Sequence, residues 1–338
     1  MLRKGACSMK SKSTLTEIAE KAGVSIATVS RILNDTGRVS PATRQKVFAA
    51  IRELEFGSGL KRQMPLYQTI LALVPDFSNP FYAGIIEGAQ TTARAAGFEL
   101  FLMPTGGSYP NPAALTNLIR REGFSGVLWL CTAPDTELLS MVRQHCPMVM
   151  VGEYPDDYPC SYVSIDDISA AYRAVNYLIA AGCRRIGMIN CSVKFKYARH
   201  RLQGFRQALE QSGLTFHPDW YASVPSIDYT LAYSAAMQLL HTDPAPDAIF
   251  ASSDVLAAAV INAAHTLGIR VPEQLSVIGF DNVVTSQITQ PAITTIAQPC
   301  FQLGQQACSI LLEKILNPEM PDRHTLLSTE MIIRNSSR

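Results

Sequence analysis

Side chains able to grip a small polar molecule stand where several short apolar runs end. Asp166 closes the run "YVSID" and Asp281 closes "VIGFD"; a carboxylate at either place can accept hydrogen bonds from hydroxyl groups. Ser253 and Asp254 sit at the end of a third run, in "ASSD". Phe81 and Tyr82 open the stretch "FYAGIIEG" after "SNP", where their rings can stack on a flat partner. Two of these have plainer readings, Asp254 as a helix cap and Tyr82 as core packing. Aromatic rings beside paired carboxylates suit a sugar or a nucleoside.

The same search finds no chemistry of turnover. The chain has no G-x-S-x-G elbow, no phosphate-binding P-loop and no G-x-G-x-x-G after an apolar run. "GSGLKR" falls in a linker and "TGGS" at 105–108 reads as a loop. The six histidines (145, 200, 217, 241, 265 and 324) lack metal-ligand spacing, so no cofactor or metal is expected and the chain does not read as an enzyme. Eight cysteines (7, 131, 146, 160, 183, 191, 300 and 308) show no C-x-x-C and stand mostly in apolar runs such as "GVLWLC" and "IGMINC". They read as small buried hydrophobes of a reducing compartment.

These residues need elements to hold them. From residue 69 onward, "TILALVPD", "FELFLMPT", "GVLWLCT", "PMVMVGE" and "YVSIDD" read as strands with helical stretches between. After Asp166 the pattern restarts, with strands in "RIGMIN", "DAIFASSD" and "SVIGFDN". Strands separated by helices of ten to fifteen residues imply parallel sheets covered on both faces. The fold class is therefore α/β, with two doubly wound lobes and any ligand near the carboxyl ends of the strands, in the cleft between lobes. Lobe 1 is assigned to about 69–164 and 297–325, lobe 2 to about 165–296 and 326–338.

The front of the chain is different. Residues 1–63 carry 12 Lys and Arg against 5 Asp and Glu, a balance of +7, while the rest balances at −6. A basic head on an acidic body suits contact of the head alone with a polyanion. Residues 1–13 read as a disordered arm, 14–56 as a three-helix headpiece and 57–68 as a linker. In "TLTEIAEKAGVSIATVSRILND", Thr14 and Glu17 form a capping box, Gly23 stops the first helix, Val24 plugs the turn and Ser25 caps the second helix. Val29, Ile32 and Leu33 face inward. Ser40 caps a third helix with Pro41 in its first turn and Val47, Ile51 and Leu54 on its apolar side. The outward residues of the second helix, Ile26, Ala27, Thr28, Ser30 and Arg31, include no acid. Small or apolar side chains can approach thymine methyls, and Arg31 can reach a guanine edge or a phosphate. Asn34, Arg38, Thr43 and Arg44 would flank the groove as backbone clamps, with Thr14 and Ser25 at the helix starts.

The stretches "TLTEIAEKAGVSIATVSRILND" and "RVSPATRQKVFAAIRELEF" resemble the headpiece of the LacI/GalR family of bacterial repressors, and the likeness extends over nearly the whole chain. It implies lobes of the periplasmic-binding-protein type, double-stranded operator DNA and a small-molecule effector as partners, and a homodimer that meets a roughly palindromic site. It also implies that Phe81, Tyr82, Asp166, Ser253, Asp254 and Asp281 occupy effector-contact positions. Two further residues follow from the resemblance: Arg201 in "RLQGF", matching an arginine aimed into the cleft, and Tyr229, matching an aromatic wall. "RLQGFRQAL" and "GFDN…ITTIAQP" look nearest to the cytidine-repressor branch, a lean toward a nucleoside.

The linker departs from the family. A proline after the aromatic and a short minor-groove helix are expected, but "LEFGSGLKRQMP" lacks that proline and places Gly57 and Gly59 where the helix would begin. Leu60 can serve as the wedge, or the segment is a basic tether whose Lys61 and Arg62 touch phosphates. The first residues contain no apolar export segment, and no run reaches about 18 apolar residues, so a cytoplasmic protein without a membrane contact is expected. An exported solute-binding protein would share the lobes but lack the head. The end, "EMIIRNSSR", carries no heptad tail, which favours a dimer over a tail-made tetramer.

Overall fold

The computed structural model describes residues 15–33, 39–40, 43, 46–47, 49–50, 68–106, 111–132 and 136–338. The arm at 1–13 and nearly all of the linker at 57–68 lie outside them, as do Thr14, Asn34, Arg38, Arg44 and Leu60. The chain divides into two compact units, Met1–Met64 and Pro65–Arg338.

In the first unit, α1 (Leu15–Ala22) and α2 (Ile26–Leu33) are joined by a tight turn. Gly23 takes φ +63° there, a conformation that a side chain would strain, and the Val24 amide donates to the Ala19 carbonyl at 3.0 Å. Ile18, Ala19, Val29, Ile32 and Val47 form a small core with Ala22, Val24 and Val39 against it. Ser25 Oγ accepts from the Thr28 amide at 3.1 Å, and Ser40 Oγ accepts from the Thr43 amide at 3.2 Å. Both serines therefore satisfy amides that a helix start leaves unpaired.

The second unit holds two six-stranded sheets built to one plan. Lobe 1 contains β1 (Gln68–Val74), β2 (Phe98–Pro104), β3 (Gly126–Trp129), β4 (Met148–Val151) and β5 (Ser161–Ile165). Its helices are α3 (Phe81–Ala95), α4 (Pro112–Glu122) and α5 (Thr136–Arg143). Lobe 2 contains α6 (Asp167–Ala180), β6 (Ile186–Cys191), α7 (Lys196–Gln211), β7 (Tyr221–Val224), α8 (Tyr229–Leu240) and β8 (Ala248–Ala251). It continues through α9 (Asp254–Thr266), β9 (Ser276–Asp281), α10 (Val284–Ile288) and β10 (Thr294–Ala297). The chain then returns to lobe 1 for α11 (Cys300–Leu316) and β11 (His324–Leu327), and ends in lobe 2 with β12 (Glu330–Ile332).

The sheet orders are β2-β1-β3-β4-β5-β11 and β7-β6-β8-β9-β10-β12. All pairs are parallel except β10 with β12. Central strands such as "GVLW", "MVMV" and "AIFA" are buried along their whole length, because helices cover both faces. In each lobe the order reverses beside the first strand, which places a crevice at the carboxyl ends of the strands.

Three short crossings join the lobes: Ile165 to Asp167, Ala297 to Cys300 and Leu327 to Glu330. The last lies beyond the expected boundary at 325, because Leu326 and Leu327 pair with Ser164 and Ile165 in the sheet of lobe 1. Glycines allow the flanking helices to touch backbone to backbone. A Cβ on Gly304 of α11 would stand 1.9 Å from the Ile85 carbonyl oxygen of α3, and one on Gly204 of α7 would stand 2.2 Å from that of Ile168 in α6.

Candidate functional site

A cavity of about 90 Å³ lies between the lobes at the carboxyl ends of their strands. Lobe 1 supplies Asp76, Asn79, Phe81, Tyr82, Thr132, Glu153 and Ser164 to its walls; lobe 2 supplies Asp167, Phe195, Tyr197, Arg201, Ser226 and Asp281, and Gln298 comes from the second crossing. In the turn before α3, Asp76 Oδ1 accepts from the Ser78 amide at 2.8 Å and the Asn79 amide at 3.0 Å. Asn79 Oδ1 in turn accepts from the Phe81 amide at 3.1 Å, which fixes the start of α3 and the two rings that open it. Phe81 and Tyr82 meet edge to face at 5.3 Å, and Phe195 and Tyr197 stack at 5.4 Å. Aromatic pairs thus face the cavity from both lobes.

The polar centre is Arg201, only 4% exposed. Its Nε donates to Asp167 Oδ1 at 2.8 Å, and its Nη1 donates to the Ser252 carbonyl at 2.6 Å and lies 3.6 Å from Asp281 Oδ1. The guanidinium carbon sits 3.5 Å from the centre of the Phe280 ring. A buried guanidinium is stable only with such partners. Burial pushes the Asp281 carboxyl up to about 7, although Arg201 and a hydrogen bond from Gln298 pull it down. Gln298 Nε2 donates that bond to Asp281 Oδ1 at 2.7 Å.

Asp281 and Asn282 have φ of 108° and 58°, an uncommon backbone for residues with side chains. Three contacts hold it. Asp254 Oδ2 accepts from the Val283 amide at 2.9 Å, Asp254 Oδ1 accepts from Thr295 Oγ1 at 2.6 Å, and Arg334 Nη2 donates to Asn282 Oδ1 at 2.7 Å. A Cβ on Gly279 would stand 2.3 Å from Asp254 Oδ1, so a glycine is required behind the site. Burial and the charge of Asp281 push the Asp254 carboxyl up to about 8.

Of the eight residues expected around a ligand, Phe81, Tyr82, Arg201 and Asp281 line the cavity. The other four have structural work outside its walls. Asp166 is exposed and caps α6 by accepting from the Ser169 amide at 2.9 Å; its neighbour Asp167 turns inward to Arg201. Ser253 caps α9 by accepting from the Leu256 amide at 3.2 Å, and Asp254 braces the β9 end from behind. Tyr229 is 42% exposed, and its hydroxyl accepts from Asn262 Nδ2 at 2.6 Å, while Ser226 and Ile227 from the preceding loop reach the cavity instead. Sequence reasoning missed Asp167, Glu153, Tyr197 and Gln298. For Asp167 the doubled acid "DD" was the available signal: the first acid at a helix start is consumed as the cap, and the second is free to face elsewhere.

On α2, Ile26, Ala27 and Arg31 are exposed, and Thr28 and Ser30 are half-buried. No acidic side chain lies on this helix, whose sequence is "IATVSRIL".

Residues 14–57 match the family described as bacterial regulatory proteins, lacI family, and residues 175–337 match the periplasmic binding protein-like domain. The chain is 35% identical over 331 residues to the HTH-type transcriptional repressor CytR of Escherichia coli strain K12, covering 96% of each protein. The chain belongs to the LacI family. Another LacI-family relative, the HTH-type transcriptional repressor PurR of Photobacterium profundum, is 31% identical over 328 residues, with 96% of this chain and 98% of that protein covered. Among solved structures, the transcriptional regulator CelR in complex with cellobiose is similar at a TM-score of 0.74 and 31% identity, covering 96% of this chain and all of that one. Proteins of this LacI-family group are helix-turn-helix transcriptional repressors, not enzymes, and the chain is a DNA-binding transcriptional regulator with a two-lobed body for a small effector. No helix among the described residues is long and apolar enough to cross a membrane.

Proposed function

We propose that this regulator is a cytoplasmic homodimer that lays α2 in the major groove of an operator and changes its grip when a nucleoside binds between the lobes. The observation that carries the effector class is the pairing of Phe81 and Tyr82 with Phe195 and Tyr197 around the Arg201–Asp167–Asp281 cluster. Rings from both lobes can sandwich a flat base, while buried charges and amide groups hold ribose hydroxyls. A sugar can lay a C–H face on one ring, whereas a planar base uses rings from both lobes at once.

On DNA, Ile26 and Ala27 approach thymine methyls, and Arg31 reads a guanine edge or grips a phosphate. Thr28 and Ser30 flank them, with Ser25 at the helix start and Thr43 on the backbone side. A second copy would cover exposed apolar side chains such as Phe101 and Leu102 of lobe 1 and Val284 and Ile288 of lobe 2. Seven described cysteines are free thiols, in keeping with a reducing compartment. The effector acts through its different affinities for the two arrangements of the lobes.

A thermal-shift screen of ribonucleosides against pentoses, hexoses and disaccharides tests the effector class. A binder at 100 times its Kd should stabilise the body by about 2.7 kcal/mol, a shift of several degrees. A response to sugars alone would replace the nucleoside reading with a sugar one.

A further inference from the structure

The loop after β4 crosses the cleft and grips the start of α7. The Phe195 side chain at the cap of α7 makes no capping bond. Its place is taken from lobe 1: Glu153 Oε2 accepts from the Lys196 amide at 3.0 Å and Glu153 Oε1 from the Tyr197 amide at 2.9 Å. One carboxylate thus satisfies two orphan amides of a helix that belongs to the other lobe. Beside it the Lys196 ammonium pairs with Asp156 and lies 3.5 Å from the centre of the Tyr154 ring, and Arg199 approaches Asp156 at 3.9 Å. Tyr154 is itself stacked on Tyr162 of β5 at 3.7 Å, and Tyr162 on His324 of β11 at 4.5 Å, so the loop is rooted in the sheet of lobe 1.

We infer that the segment from Glu153 to Asp156 and the start of α7 form an interlobe clasp that opposes admission of the effector. The contacts of Glu153, Tyr154 and Asp156 with α7 join protein atoms of one lobe to protein atoms of the other, so the closing tendency needs no ligand. The cavity that it borders through Glu153 is about 90 Å³, against the about 300–1,000 Å³ usual for small-molecule sites. Taking the cavity to be the effector site proposed above, the clasped form is the one that excludes the effector. Release lets α7 shift together with Tyr197 and Arg201, which line the cavity from the same helix. The fraction of molecules with the clasp open then multiplies the apparent effector affinity. The clasp is thereby a built-in threshold on the effector concentration that the regulator answers.

The test uses amide hydrogen exchange on the full-length protein, with no added ligand. Glu153→Ala should speed exchange of the Lys196 and Tyr197 amides by at least about tenfold. A mere local cap would give that result too. Asp156→Asn decides, because Asp156 bonds neither amide yet belongs to the same clasp; it should speed the same amides by about fivefold. Exchange at the Ala208 and Leu209 amides, late in α7, should stay as in the wild type. Unchanged Lys196 and Tyr197 exchange in Asp156→Asn would overturn the clasp. With cytidine, uridine and adenosine as probes, Asp156→Asn should tighten Kd by a similar factor, and an equal or weaker Kd would overturn its opposition to the effector. Failure of all three probes with both proteins would count against the nucleoside reading alone, while the exchange result still judges the clasp.

Discussion

Removing the Asp167 carboxylate exposes what holds lobe 2 together at the cleft. Asp167 and Arg201 stand on α6 and α7, whose backbones touch at Gly204, and their side chains are 7% and 4% exposed. Solvent screening is therefore slight. Asp167→Ala leaves the guanidinium with the Ser252 carbonyl at 2.6 Å, the Phe280 ring and Asp281 at 3.6 Å. Breaking one side of a buried pair costs about 3–5 kcal/mol, and the remaining attraction of Asp281 points to the lower end, about 3 kcal/mol. For a lobe of this size that lowers Tm by roughly 6–12 °C. Asp167→Asn keeps the shape and an oxygen that can accept from Arg201 Nε, so only the charge assistance is lost, at a cost of about 1–2 kcal/mol. Urea unfolding reads both, as a fall in midpoint at constant slope. An Ala variant within about 0.5 kcal/mol of the wild type would refute the reasoning, since it would mean that Arg201 stays satisfied without its shortest carboxylate partner.

Three further outcomes are expected. Arg31→Ala should abolish sequence-specific operator binding in a gel-shift assay while effector affinity stays unchanged; retained sequence preference would count against the assignment of α2. Asp281→Asn should remove the ligand-induced melting shift without unfolding the body. It should also flatten the dependence of stability on pH: with folded-state values raised to about 7 for Asp281 and about 8 for Asp254, the native state keeps protons that the unfolded chain releases near pH 4, so stability falls as pH rises across that window. A wild-type stability that rises between pH 5 and 8 by the same amount in both proteins would contradict this. Gly304→Ala should destabilise by about 3 kcal/mol, because its Cβ meets the Ile85 carbonyl oxygen at 1.9 Å and α3 and α11 must part; an unchanged urea midpoint would show that the helices separate freely.

Much of the architecture is legible in local pattern. Runs such as "GVLWLC" and "SVIGFD" announce strands buried on both faces, and Gly23 and Ser25 mark the turn and the second helix of the headpiece from residue chemistry alone. Strand order is not legible, because parallel neighbours such as β1 and β3 are set by packing between segments more than fifty residues apart. The cavity was half legible for a related reason. A residue at a strand end is near the crevice, but the first turn of the next helix decides which way it points. Asp166, Ser253 and Tyr229 are spent on helix starts and neighbouring helices. Glu153 carries no local mark at all, since its partners lie more than forty residues away in the other lobe.

The three crossings bear on how the molecule is made. Leu327 of β11 lies beside Ile165 of β5, and Glu330 of β12 lies beside Ala297 of β10, so each sheet receives its outermost strand from the last fifteen residues of the chain. During synthesis neither half can be finished until β11 and β12 have left the ribosome, and the partly built sheets must wait with open edges. A message cut before the codon for His324 would therefore leave both sheets short of an outer strand at once, and the cleft between them unfinished.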